Sequence, residues 1–329
     1  MPALVSTLTD LIGDTPLLEL ARYGRNRGLG ARILGKIELL NPVGSVKDRI
    51  AWGIVRDAEE RGLLGPGGSI VDLTSGNTGI ALAAIAASRG YRSTFYVGDN
   101  VSPDKLALIH AFGAEIVLVE NEFFLDPEAL DTLRERAATE HPEAYFTDQL
   151  ANPANPRVHY ATTGPEIWAA TGGEVDVLVG GVGTGGTLSG AGRYLKERRP
   201  GLRVVVAEPG LGSIPSEENL YPREIDGVHK ITEAEPQQIP ANFDQSIADE
   251  FIAVETEDAF ATSRALAREE GLLAGTSSGA IVLAATRVAE RPENAGRTIV
   301  AILPDSAERY LSAGIFDAPL GTPEAALIG

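Results

Sequence analysis

From about residue 31 onward, short continuous apolar runs alternate with longer stretches of helical periodicity, and no other feature of the 329 residues constrains the fold as much. Runs at 33–39, 69–73, 93–97, 115–119, 175–180, 203–207 and 298–303 predict strands. Periodic stretches at 47–61, 77–89, 103–112, 127–140, 156–170, 185–198, 256–271 and 277–290 predict helices. Val204-Val205-Val206-Ala207 is apolar at every position, so its sheet must be covered on both faces. Strands of this kind alternating with helices make parallel sheets between helical layers, an α/β architecture. The chain is long enough for about two domains of roughly 100–200 residues. The pattern breaks near 150–156, where Asn152-Pro153-Ala154-Asn155-Pro156 marks a domain change. It breaks again from Pro209 to Gln245, a proline-rich, acidic stretch with little periodicity. A loop that long in a compact chain is either functional or mobile.

Bulk properties exclude several classes. Cysteine is absent, which removes disulfides, cysteine nucleophiles and thiolate metal sites. The four histidines, His110, His141, His159 and His229, lack ligand-like spacing, so no metal site is expected. A net charge of −18 argues against nucleic-acid backbones and anionic membrane surfaces. No apolar run reaches the roughly 18 residues of a membrane span. Met1 to Asp10 has neither the basic nor the apolar part of a secretory signal, so a cytoplasmic protein is expected.

Four turns carry the chemistry. In Asn41-Pro42-Val43-Gly44-Ser45-Val46-Lys47-Asp48-Arg49 a strand ends, a turn follows and Lys47 falls in the first turn of a helix. The helix dipole disfavours a cation there. The placement suits an amine needed neutral, as a Schiff base requires, with the dipole and Arg49 expected to lower its pKa. A solvated surface lysine is the plain alternative, but the chain has five lysines against twenty-three arginines, so candidates are few. Thr74-Ser75-Gly76-Asn77-Thr78-Gly79 also joins a strand to a helix. Its hydroxyls, amide and backbone N–H groups form an anion site for a carboxylate or phosphate; simple capping would need only one or two of them.

Gly180-Gly181-Val182-Gly183-Thr184-Gly185-Gly186-Thr187 is a third such turn, able to cradle phosphate with backbone N–H groups alone. Gly181, Gly183 and Gly186 also fit Gly-x-Gly-x-x-Gly, with Glu208 about twenty residues on, so this turn by itself equally serves a nicotinamide dinucleotide. The fourth, Gly275-Thr276-Ser277-Ser278-Gly279-Ala280, opens a helix and alone reads as a cap. Leu303-Pro304-Asp305-Ser306 ends a strand, at the sheet edge where ligands bind. Together the turns offer an amine, a carboxylate cradle, a phosphate cradle and a hydroxyl. A phosphate-bearing aldehyde cofactor fits this set, and pyridoxal 5'-phosphate (PLP) is the common one.

With Ile12-Gly13-Asp14-Thr15-Pro16-Leu17 before them and Gln149, Asn152 to Pro156 and Pro304-Asp305-Ser306-Ala307-Glu308-Arg309-Tyr310-Leu311 in order around them, these motifs resemble the cysteine synthase (O-acetylserine sulfhydrylase) and cystathionine β-synthase family of fold type II PLP enzymes. The resemblance implies two three-layer α/β domains with largely parallel sheets, similar to the tryptophan synthase β chain, and PLP in the cleft between them. Residues 35–150 would form the smaller domain, and 1–34 with 151–329 the larger. It implies that Lys47 holds PLP as a Schiff base and moves the substrate Cα proton. Asn77 would contact the ring hydroxyl, Gly183, Thr184, Gly185, Gly186 and Thr187 the phosphate, and Ser277 the ring nitrogen. Thr74, Ser75, Thr78 and Gln149 would bind the substrate carboxylate.

A neutral serine at the ring nitrogen makes a milder electron sink than an aspartate would, which favours prompt loss of a group from Cβ. The implied reaction is β-replacement on an O-activated L-serine through an aminoacrylate, with sulfide as nucleophile and L-cysteine as product, in a homodimer. Other β-substituted alanine synthases, a β-cyanoalanine synthase and a cysteine desulfhydrase share this chemistry. A nicotinamide dehydrogenase, or an inactive relative that binds a partner enzyme, are the alternatives of other classes. The chain departs from the family at Asp72-Leu73, where Glu-Pro is frequent, and at Ala307, where glycine is usual. It departs most at Ile225-Asp226-Gly227-Val228-His229-Lys230-Ile231, where a Gly-Ile-Gly-like segment is common. The short stretch after Leu311 predicts no C-terminal regulatory module.

Overall fold

A computed structural model describes residues 4–74, 76–120, 127–216, 219 and 222–316. The first half runs β1 (Leu17–Glu19), α1 (Ala21–Asn26), β2 (Arg32–Ile37), α2 (Lys47–Glu60), β3 (Ser69–Thr74), α3 (Asn77–Arg89), β4 (Arg92–Gly98), α4 (Pro103–Ala111), β5 (Glu115–Val119), α5 (Pro127–Glu140) and β6 (Ala144–Phe146). The second runs α6 (Ala154–Val158), α7 (Gly164–Thr171), β7 (Val177–Gly181), α8 (Gly186–Arg198), β8 (Arg203–Pro209), β9 (Glu250–Val254), α9 (Thr256–Glu270), α10 (Thr276–Ala289) and β10 (Thr298–Leu303). A π-helical turn, His159–Thr163, joins α6 to α7.

Two sheets result, one of six strands in the order β1-β2-β10-β7-β8-β9 and one of four in the order β5-β4-β3-β6. All pairings are parallel except β1 with β2. In the larger sheet, Val177, Val179, Val205, Ala207, Ile299 and Ala301 face the core under α9 and α10. Their alternating neighbours Leu178, Val204, Val206, Val300 and Ile302 face the core under α7 and α8. In the smaller sheet, Ile70, Phe95 and Val97 pack under α2 and α3, and Val71, Leu73 and Tyr96 under α5. Two-sided burial therefore follows from apolar residues at both parities of each central strand. The two layered α/β domains expected from the sequence are present. β2 lies wholly in the six-stranded sheet, so the chain crosses to the smaller one after Ile37.

The sequence pattern missed β1, β6, β9 and α1. β1 and β6 have three residues each, and β9 is an edge strand that begins on Glu250. Such short or one-sided segments bury too little to leave a periodic signal. Of the expected strand 33–39, the last residues instead form a 3₁₀ turn, Glu38–Leu40.

Candidate active site

The N-termini of α2, α3, α8 and α10 meet the carboxyl ends of β7 and β10 at one cleft between the sheets. Lys47, Asn77, Gly183, Thr184, Gly185, Thr187, Ser277 and Asp305 line it, with Asp226, Gly227 and Val228 from the long loop. The cleft holds about 570 Å³ of empty space, counting the part open to solvent. All four sequence-predicted turns converge there.

Lys47 opens α2, with its backbone N–H donating to Ser45 Oγ at 3.2 Å. Its Nζ lies 3.9 Å from the point where a Cβ on Gly183 would stand, so the amine reaches the glycine turn of the other domain. Burial lowers the pKa of this amine; Asp305 and Asp226 pull it back up, and Lys105 pushes it down. The expected contribution of Arg49 is not among the causes. Arg49 points away from the cleft, into a buried cluster with Glu38 at 2.7 Å and Glu166 at 2.6 Å. The other four lysines are ion-paired: Lys36 with Glu166, Lys105 with Asp226, Lys196 with Asp249 and Lys230 with Glu208. Among the described residues, Lys47 is the one lysine without an ion pair.

The turn Gly183 to Thr187 is shaped by its neighbours. Gly185 has φ +81°, and a Cβ on it would stand 2.4 Å from Phe243 Cβ; one on Gly186 would stand 1.8 Å from Asn155 Oδ1. A Cβ on Gly183 would stand 2.6 Å from the carbonyl oxygen of Gly227. Glycine is thus enforced by packing at three positions, and the first-turn N–H groups of α8, which have no intrahelical partners, are left at the cleft. Asn155 donates to Thr184 Oγ1 at 2.9 Å. The Thr187 hydroxyl meets His159 Nε2 at 3.1 Å, and His159 Nδ1 meets Thr163 Oγ1 at 2.8 Å across the π-helical turn. Burial holds the His159 pKa well below its usual value, so the ring is neutral there.

Asn77 is held from both sides, donating to Asp305 Oδ2 at 2.6 Å and accepting from Arg309 at 2.6 Å. Asp305 also accepts from the Tyr310 hydroxyl, and its other oxygen is buried without a partner. Ser277 lines the cleft at the start of α10. Thr74, Thr78 and Gln149 lie together but are buried. Thr74 Oγ1 accepts from the backbone N–H groups of Gly76 and Gly79 at 3.2 and 3.0 Å, and Thr78 Oγ1 donates to Gln149 Oε1 at 2.5 Å. Ser75 lies outside the described residues. Sequence reasoning missed Asp226, Lys105, His159 and Arg309, and it left Asp305 without a role although its place at the end of β10 pointed to the cleft.

Glu208 decides against a dinucleotide site. It is buried, and its oxygens accept from Lys230 Nζ at 2.8 Å, Thr232 Oγ1 at 2.6 Å, and the backbone N–H groups of Ile231 and Thr232 at 2.9 and 3.1 Å. It anchors the long loop and has no capacity left for a ribose hydroxyl. An unpaired amine beside a phosphate-sized turn of enforced glycines, with an oriented amide and a hydroxyl on the same cleft, fits PLP instead.

The comparisons with known proteins agree. Residues 8–305 match the family of pyridoxal-phosphate dependent enzymes. Cysteine synthase A of Escherichia coli (strain K12) is 44% identical over 312 residues, covering 93% of each chain. Two solved structures superpose with a TM-score of 0.86: an O-ureido-L-serine synthase, 39% identical over 98% of this chain and 99% of that one, and the cysteine synthase of Entamoeba histolytica, 35% identical over 97% and 93%. Fold and site thus define a fold type II PLP-dependent enzyme. Within that class the chain belongs to the cysteine synthase and cystathionine β-synthase family. Among the described residues there is no helix long and apolar enough to cross a membrane and no cluster of metal-ligating side chains.

Proposed function

We propose that the enzyme replaces the β-substituent of an O-activated L-serine, O-acetylserine or O-phosphoserine, with sulfide to give L-cysteine. The observation that carries this reading is Lys47, the lysine without an ion pair among the described residues, whose pKa burial lowers at the edge of the glycine turn. Bound PLP supplies the electron sink that makes a substrate Cα proton labile and lets a group leave Cβ. Lys47 would hold the cofactor and then move that proton at Cα. The N–H groups of Gly183 to Thr187 would hold the phosphate against the dipole of α8, with Thr184 and Thr187 fixed by Asn155 and His159. Asn77, oriented by Asp305 and Arg309, would meet the ring hydroxyl, and Ser277 would face the ring nitrogen without charging it.

The substrate carboxylate would bind the Thr74 to Gly79 turn, with Thr74, Ser75, Thr78 and Gln149 shaping it. The similarity to an O-ureido-L-serine synthase over nearly the full length of both chains supports a second acceptor, an oxygen nucleophile, at the same Cβ. We further propose a cytoplasmic homodimer, on the family resemblance. Product analysis with each donor and each acceptor tests the reading. L-cysteine from sulfide is the expected result, and no Cβ-substituted product from either donor would overturn it.

A further inference from the structure

The cleft meets solvent along the long loop. Of the described residues that line it, Gly227 is the exposed one, and the side chain of Asp226 beside it is 42% exposed. Asn77 and Gly183 are half-buried, and Thr184, Ser277 and Asp305 are buried. Asp226 and Gly227 therefore form the rim, and a small molecule entering from water passes them. This rim lies in the segment where the chain departs most from its family.

Charge at the rim is one-sided. Asp226 pairs with Lys105, but the Lys105 side chain is 2% exposed and lies 4.7 Å over the Tyr310 ring. The cation sits behind the carboxylate, and the negative end of the pair faces the water. Glu224, two residues before Asp226, is exposed as well. From Pro209 to Gln245 the loop carries seven acidic residues against two basic ones. Both basic residues are engaged with partners that do not line the cleft, Arg223 with Glu257 at 3.0 Å and Lys230 with Glu208 at 2.8 Å. Neither offsets Asp226. Further in, Lys47 would be bound to the cofactor, and Arg309 is tied to Asn77 and the Val43 carbonyl.

We propose that Asp226 determines which acceptor the enzyme takes: its carboxylate holds back anionic nucleophiles at the rim and admits uncharged or cationic ones. A charge on an approach path acts mainly on encounter, and salt weakens its effect. The same filter bears on the donor, favouring O-acetylserine, which has no net charge, over the anionic O-phosphoserine. The inference rests on the β-replacement proposed above.

Three thiols of similar size test it with O-acetylserine as donor: cysteamine, a cation; 2-mercaptoethanol, uncharged; and mercaptoacetate, an anion. Products are quantified by mass spectrometry, and each kcat/KM is taken as a ratio of variant to wild type, which cancels differences in thiol reactivity. Asp226→Asn should raise the ratio for mercaptoacetate over that for cysteamine by about tenfold, with 2-mercaptoethanol between them. Asp226→Glu should keep the wild-type preference. About 1 M salt, which confines charge effects to roughly 3 Å, should remove the difference between Asp226→Asn and wild type. The donor gives a reading without turnover: the visible band's response to O-phosphoserine, relative to O-acetylserine, should grow in Asp226→Asn. Equal ratios for the three thiols, the opposite order, or a difference that survives salt would each overturn the filter. If Asp226→Asn fails to fold, the wild type decides, because mercaptoacetate should gain on cysteamine as salt rises and an unchanged ratio would refute the filter. No product from sulfide or from any of the thiols would overturn the functional reading and the filter with it; products formed without regard to charge would overturn the filter alone.

Discussion

The two strand-to-helix turns at the cleft are built on different plans. Gly183 to Thr187 is shaped by its own domain, with Asn155, Phe243 and Gly227 leaving no room for side chains at a turn that lines the cleft. Thr74 to Gly79 is tied to its surroundings by its side chains, Thr78 to Gln149 and Asn77 to Asp305 and Arg309, which follow β10 of the other sheet. A cradle complete within one domain can keep a cofactor through many turnovers. A cradle finished by a residue across the cleft can open and close with each substrate. The difference separates a turn completed within one domain from one completed across the cleft.

The largest effect should come at the point the two turns share. Lys47→Ala should lower kcat by about 10³-fold or more while thermal denaturation shows a folded protein. The next pair separates the turns. Gly186→Ala, which drives a Cβ into Asn155, should cost about 2–4 kcal/mol in thermal or chemical unfolding and reduce the PLP retained after gel filtration. Gly76→Ala meets only the flexible stem of Lys105 at 2.6 Å but strains a φ of +143°, so it should cost about 1–3 kcal/mol, retain PLP and weaken substrate binding. Loss of PLP in Gly76→Ala, or its full retention in Gly186→Ala, would break the distinction.

Ser277→Asp should reduce kcat by about tenfold by charging the ring nitrogen; unchanged kinetics would remove Ser277 from that position. The smallest effect concerns the strands that lead to the turns. β7 is apolar, whereas β3 carries Asp72, buried with one oxygen unpartnered, and burial pushes its pKa up to about 7. The folded protein then keeps a proton that the unfolded chain releases near pH 4, so stability falls as pH rises from about 4 to 7 and levels off above. Asp72→Asn should therefore stabilise the protein by about 1–2 kcal/mol at pH 8 and leave it unchanged near pH 4, measured by denaturant unfolding at both.

What the sequence made legible follows the same division. The central strands and the glycine turn could be read because their determinants are local: apolar residues at both parities, small residues before a helix. Lys47 could be singled out because lysines are few, but the reason it is free was not visible. Arg49, two residues away, was expected to tune it and instead ties Glu38 to Glu166, while burial and the carboxylates of Asp305 and Asp226 set its basicity. Asp226 and Lys105 are 121 positions apart and meet only in the fold, so no spacing announces them. Glu208 fitted a dinucleotide pattern by position, and only its four hydrogen bonds show that it anchors a loop.

The claim that Lys47 carries the cofactor is tested most directly by reducing the PLP-loaded enzyme with borohydride and mapping the modified peptide by mass spectrometry. The label should be found on Lys47, with loss of the visible band. A label on Lys36 or Lys105, or a colourless protein that takes no label and binds NAD, would contradict the account.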